Sequence, residues 1–229
     1  ALFARLEMFT MQNRWGVQTP SGGVAQARQA SSALELVLDS GNVQSILADV
    51  KQLDLIYLPD ANGGIAAVAA GVGERVMLLP WEQATLLFAC SAKLRVWGSK
   101  LLYKLAYTGE IPMPDIVFDG ELAAYLLSPT SANYDMISLA AQYSIQPHSF
   151  SSEAEEYAEL VARAAVMREL LDQLSQEIAE KEQDKLLYEI EQPLAHVLAV
   201  MECEGFSLDA AALAEYGAEL DGRLLELQQ

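Results

Sequence analysis

Two histidines, two cysteines and thirty-two carboxylates carry most of the chemical possibility in this chain. Cys90 and Cys203 lie far apart, and neither clusters with His148 or His196. A zinc site needs several such ligands at close spacing, so the cysteines read as buried or half-buried thiols in a reducing compartment. His196 falls inside an apolar-faced helical segment and His148 follows a proline, so neither has the partners of a nucleophilic triad. "GVGERV" (71–76) lacks the length and the Lys-Ser/Thr ending of a phosphate-binding loop and reads as a strand turn. Lys93, Arg95, Lys100 and Lys104 interleave with Trp97, Tyr103 and Tyr107. Cations with aromatics between them can follow a nucleic-acid backbone, which makes these four basic residues weak contact candidates. The same spacing also describes a solvated helix face over core aromatics.

The elements that must position these residues follow from periodicity. "QTPSGGVAQARQASS" (18–32) is small and polar and reads as a flexible connector, so a folded unit is expected to begin near Ala33. "ALELVLDS", "LDLIYLP", "IAAVAAGV", "RVMLLP" and "LRVWG" read as strands, with turns at "DANGG" and "GVGE". "NVQSILADVKQ", "WEQATLLFACSA", "SKLLYKLAYTG", "GELAAYLLSP" and "YDMISLAAQYS" read as helices, and "IPMPDIVFD" as extended chain because of its prolines. Strands alternating with helices predict an α/β sheet covered on its faces.

From Ser152 to Ile190 the pattern predicts one long helical stretch. It has an N-cap at Ser152, acids Glu153, Glu155 and Glu156 in the first turn, and a buried stripe at Leu160, Ala164, Met167, Leu171, Leu174 and Ile178. Pro193 predicts a break or kink. Leu194, Val197, Leu198 and Met201 then make a new apolar face, Gly205 ends that helix and Asp209 caps another. This final helical pair has little left to pack against, which predicts exposed apolar surface and a chain cut from something longer.

The chain has 229 residues, 52% hydrophobic, with a net charge of −18. Residues 151–229 hold 19 acids against 5 bases. A surface this acidic repels phosphate, so weak or no nucleic-acid binding is expected of the isolated chain. No apolar run approaches the length of a membrane span and no secretion leader is visible, so no membrane partner and a cytoplasmic location are expected.

Three segments, whose order and spacing along the chain agree with the family, resemble the family A DNA polymerases of the bacterial polymerase I type. "EQDKLLYEIEQPLAHVLAVMECEGFSLD" (182–209) is similar to the start of the family's polymerase domain. "VFDGELAAYLLSP" (117–129) is similar to a stretch of its proofreading-type domain, and "ALFARLEMF" (1–9) to the end of its 5′-nuclease region. The resemblance implies three parts. Residues 1–32 would end the 5′-nuclease region and include the linker. Residues 33–182 would form an RNase H-like, 3′–5′ exonuclease-like domain, a mixed sheet flanked by helices. Residues 183–229 would be a C-terminal helical segment, the first thumb helices.

It also implies DNA as a partner through the full-length protein, with the rest of the polymerase in cis and a role in replication and repair. Mg²⁺ is implied for the full-length polymerase and no cofactor for this segment. The palm that would synthesise DNA is expected beyond Gln229.

Active members of the family hold two metal ions on carboxylates, which activate water and stabilise the leaving oxygen. Here the matching positions are Ile56 and Leu58 on the first strand, Leu102 in "WGSKLLYKL", and Val161, four residues after Tyr157. None can ligate a metal. The resemblance therefore implies a vestigial domain with no catalytic or metal-binding residues and an architectural role. Two rivals stand beside it. One is an active 3′–5′ exonuclease using other acids, such as Asp39, Asp54, Asp60, Asp135 or Glu159. The other is an acidic helical scaffold or adaptor protein.

Overall fold

Alternation along strand β2 (Gln52–Pro59) decides the layering. Leu53 and Leu55 enter one core and Ile56 enters another, and all three are buried. A strand buried on both faces lies inside a sheet covered on both sides. The computed structural model describes residues 34–37, 43–48, 50–131, 133–150 and 157–228, and shows such a sheet.

Six strands among the described residues take the order β1 (Glu35–Val37), β4 (Arg75–Pro80), β3 (Ile65–Val72), β2, β5 (Lys93–Val96) and β6 (Ile116–Asp119). Strands β2, β3 and β4 form an antiparallel meander, while β1 on β4, β5 on β2 and β6 on β5 run parallel. Turn chemistry sets the meander. Asp60 Oδ1 accepts from the N–H groups of Asn62 (2.7 Å) and Gly64 (2.8 Å) between β2 and β3. Gly73 supplies the positive φ, +58°, between β3 and β4.

Helices α1 (Val43–Leu47), α2 (Trp81–Phe88) and α3 (Lys100–Tyr107) cover the face that carries Leu53 and Leu55. Helices α4 (Gly120–Leu127), α5 (Met136–Gln142) and α6 (Ala158–Glu180) cover the face that carries Ile56. The stripe Leu160, Ala164, Met167, Leu171, Leu174 and Ile178 is buried in this second core, as its spacing predicts. Ser152 and the acids beside it lie outside the described residues.

The long helical stretch does not run unbroken to Ile190. It ends at Glu180, and Glu182 takes φ +56°. The N–H of Gln183 donates to the Ile178 carbonyl (3.0 Å) and that of Glu182 to Ala179 (3.1 Å). This is a Schellman closure with glutamate where glycine is usual, so the sequence carries no ordinary stop signal.

Helix α7 (Asp184–Leu186) then leads through a π-helical turn, Leu187–Glu191, into α8 (Gln192–Glu204). The break expected at Pro193 is absorbed by that turn. The Gln192 N–H reaches back five residues to Leu187, and the wider turn makes room for a ring that would crowd a carbonyl four residues back. Helix α9 (Ala210–Leu227) is capped by Asp209, whose Oδ1 accepts from the Ala212 N–H at 2.9 Å. No residue of α9 is buried, and Leu213, Leu220, Leu224 and Leu227 are exposed.

Helix α8 packs along α3. Lys100 Nζ and Lys104 Nζ each stand 2.7 Å from Glu202, Tyr107 bonds Glu204, and the Tyr103 ring lies 5.0 Å from that of His196. The Lys100 and Lys104 ammonium groups hold the Glu202 carboxyl down to about 2. These charges are exposed and screened by salt, so apolar packing carries most of the contact.

Two outcomes follow. At Gly120 an added Cβ would stand 2.5 Å from Leu171 Cδ2 and 2.8 Å from Trp97 Cε3. Gly120→Ala should therefore destabilise the fold by about 1–3 kcal/mol in urea titration through overpacking, and an unchanged midpoint would show that α6 can retreat freely. The second outcome concerns acid. A carboxyl with a depressed pKa contributes stability above its unfolded value of about 4.3, which is lost as pH falls toward about 2. Amide exchange in α8 should accelerate over that window at low salt, less so in Glu202→Gln. A response identical in the variant would assign the acid effect to other groups.

Candidate functional site

The parallel register of β2 and β5 places Asp54 directly opposite Arg95. Arg95 donates through Nε to Asp54 Oδ1 (2.6 Å) and through Nη2 to Oδ2 (2.7 Å). A third guanidinium nitrogen, Nη1, donates to Asp172 on α6. From the same helix, Arg168 Nε stands 3.6 Å from Asp54 Oδ2, and Arg168 Nη1 donates to the Gly73 carbonyl at 2.6 Å. The Asp54 side chain is only 4% exposed and that of Arg95 13%. A buried carboxylate must be paired, and a planar fork meeting both oxygens pairs it well. This network fastens β2, β5 and α6 together, and both Asp54 oxygens are already engaged by cations.

The four positions matched to metal-binding carboxylates separate into two places. Ile56 is buried in the α6-side core, with Leu58 and Val161 half-buried against it. Leu102, on the inner side of α3, is fully buried in the opposite core. Three of the four therefore share a face and the fourth does not.

Among the other acids considered, Asp60 caps its own turn, and Asp135 caps α5 by accepting from the Ser138 N–H at 2.9 Å. Glu159 pairs with Arg163, and Asp39 lies outside the described residues. Among the described residues no three His, Cys, Asp or Glu side chains are grouped to hold a metal ion.

The basic candidates are also dispersed. Arg95 belongs to the Asp54 network, and Lys100 and Lys104 to Glu202, while Lys93 is exposed at the start of β5. His148 Nε2 lies 3.3 Å from Glu169, and both cysteines are free thiols.

A second buried carboxylate, Asp119, ties three elements together. It ends β6 and caps α4. Its Oδ1 accepts from the N–H groups of Gly98 (3.2 Å), Glu121 (2.9 Å) and Leu122 (3.3 Å), and its Oδ2 from Ser99 (2.7 Å). Its own N–H donates to Gln192 Oε1 on α8 at 3.1 Å. Aspartate directly before an apolar helical run is an N-cap signal, so the α4 half of this arrangement was open to sequence reading.

Beside it lies a cleft of about 230 Å³ between the Gly98–Lys100 turn, the first turn of α4 and the α8 face. Glu121 lines the cleft, and burial, then the charge of Asp119, push its carboxyl pKa up against the opposing pull of Lys100.

No protein-family model matches the chain. The chain is 35% identical over 134 residues to DNA polymerase I of Geobacillus stearothermophilus, covering 52% of the chain and 15% of that protein. It is 29% identical over 210 residues to DNA polymerase I of Lactococcus lactis subsp. cremoris, covering 84% of the chain and 23% of that protein. To DNA polymerase I of Bacillus subtilis it is 31% identical over 127 residues, covering 49% and 14%.

The chain thus spans under a quarter of the length of these relatives. Among solved structures, the POL domain of Pol1 from M. smegmatis, in complex with DNA primer-template and dNTP, matches with a TM-score of 0.70. That match covers 84% of this chain and 36% of the other at 19% identity, and it bears on the fold alone. The fold is the mixed α/β, RNase H-like arrangement with a C-terminal helical segment that the resemblance implies. By sequence, the chain is similar over part of their length to DNA polymerase I proteins, which are family A DNA polymerases.

Proposed function

We propose that this chain is the exonuclease-like segment of a DNA polymerase I that acts in DNA replication and repair, and that the segment serves as a brace rather than a nuclease. One observation carries the reading. The positions matched to metal-holding carboxylates are apolar core residues, and the nearest buried acid, Asp54, is bound side-on by Arg95. A two-metal site needs several converging carboxylates, and one already neutralised by guanidinium groups does not supply it.

Bracing has a physical basis in the Asp119–Gln192 hydrogen bond and the α3–α8 packing, which join the sheet to the helical segment where the resemblance places the polymerase domain. Synthesis, Mg²⁺ and contact with DNA belong, on this reading, to the full-length polymerase in the cytoplasm. The relative from M. smegmatis, captured with primer-template and dNTP, is consistent with that division. The described residues include no helix long and apolar enough to cross a membrane.

The decisive assay incubates the chain with a 3′-labelled single-stranded oligonucleotide in Mg²⁺ and then Mn²⁺, beside a metal-free control. No shortening at high protein concentration is expected. Metal-dependent shortening would overturn the reading. Asp54→Asn separates structure from catalysis in the same assay. It should destabilise folding by roughly 1–3 kcal/mol, the usual worth of hydrogen bonds to a charged group, because Asp172 still pairs with Arg95, and leave the nuclease background unchanged. A stable variant that loses a metal-dependent cleavage would make Asp54 a ligand.

A further inference from the structure

The cleft beside Asp119 is not used by the bracing role and differs in chemistry from the surface around it. Ser99, Glu121, Leu122, Glu191, Leu194 and Leu198 contribute to its walls. Its volume, about 230 Å³, is below the roughly 300–1,000 Å³ of pockets that enclose whole small molecules. It is sized for a single long side chain.

The sign of that side chain follows from what is already satisfied. The N–H donors of Gly98 and Ser99, which would attract an anion at the start of α3, are taken by Asp119. Among the described residues no hydrogen bond or ion pair reaches the carboxylate of Glu121, an exposed residue that lines the cleft. The nearest ammonium, that of Lys100, is bonded to Glu202. Ser99 is 1% exposed and its Oγ has no hydrogen-bond partner in the structure. An acceptor-rich cleft with leucines at its mouth, Leu194 and Leu198 being 41% and 40% exposed, suits a long apolar stem ending in a planar cation.

We propose that this cleft is a docking site for an arginine side chain presented by a partner polypeptide, with the guanidinium on Glu121 and the side-chain methylenes against Leu194 and Leu198. Arginine fits better than lysine because its weakly hydrated fork can meet the Glu121 carboxylate with two parallel hydrogen bonds. This assignment does not depend on the segment being inactive as a nuclease.

The test titrates the uniformly ¹⁵N-labelled chain with a short capped peptide, Ala-Arg-Leu, and separately with its citrulline counterpart, which keeps the shape and removes the charge. Saturable shifts are expected at the Gly98, Ser99 and Glu121 amides with the arginine peptide and not with citrulline. Glu121→Gln should weaken that binding roughly tenfold, the usual worth of a hydrogen bond to a charged group. The residue is exposed, so the variant should remain folded, and its spectrum reports that directly. Three results would each overturn the proposal: no saturable shift at those amides, equal shifts with citrulline, or undiminished binding by Glu121→Gln.

Discussion

The Asp119 carboxylate answers four backbone N–H groups from two segments, and its own N–H is answered by Gln192. The start of α4 and the turn after β5 depend on that one side chain for their orphan N–H donors, and the backbone N–H of the same residue holds the Gln192 side chain of α8. It is 1% exposed, so water cannot replace any of these bonds at low cost. A buried carboxylate is tolerated here because N–H dipoles surround it. The tight approach at Gly120, where Leu171 and Trp97 leave no room for a methyl group, follows from α4 being held at this point.

The sheet uses a different device at its centre. Its two faces carry separate cores, and the side chains of β2 alternate between them. On the α6 side the apolar layer is interrupted once, by Asp54 and Arg95, and α6 supplies Asp172 and Arg168 to close the interruption. A buried ion pair contributes less net stability than an apolar pair of similar size, but it tolerates only one register. Sliding β5 by one residue against β2 would leave both charges unmatched.

The sheet was legible because its information is local. Strict alternation in "LDLIYLP", the glycines and aspartate of "DANGG", and the stripe along α6 each need only a short window of sequence. Features built from distant residues were not legible. Nothing near Arg95 announces that its partner is forty-one positions earlier, and nothing near Gln192 points to Asp119. The end of α6 was hidden because Glu182 occupies a left-handed position that sequence rules assign to glycine. Pro193 misled in the opposite direction, since the π-turn before it satisfies by geometry what composition reads as an interruption. At the site, the apolar identity of Ile56, Leu58 and Val161 was plain, whereas the opposite orientation of Leu102 required the fold.

The packing around Ile56 also constrains how this lineage can change. A single carboxylate there would be an unpaired charge in a closed core, costing several kcal/mol before any metal could bind. A second acid at Leu58 or Val161 would be needed to share the ion, and Arg95 would have to release Asp54 as well. Each intermediate is less stable than the present chain, and none gains a function until the set is complete. For this layer of the protein, introducing acids one at a time runs uphill in stability, so the hydrophobic filling of the sheet resists conversion to an ion site.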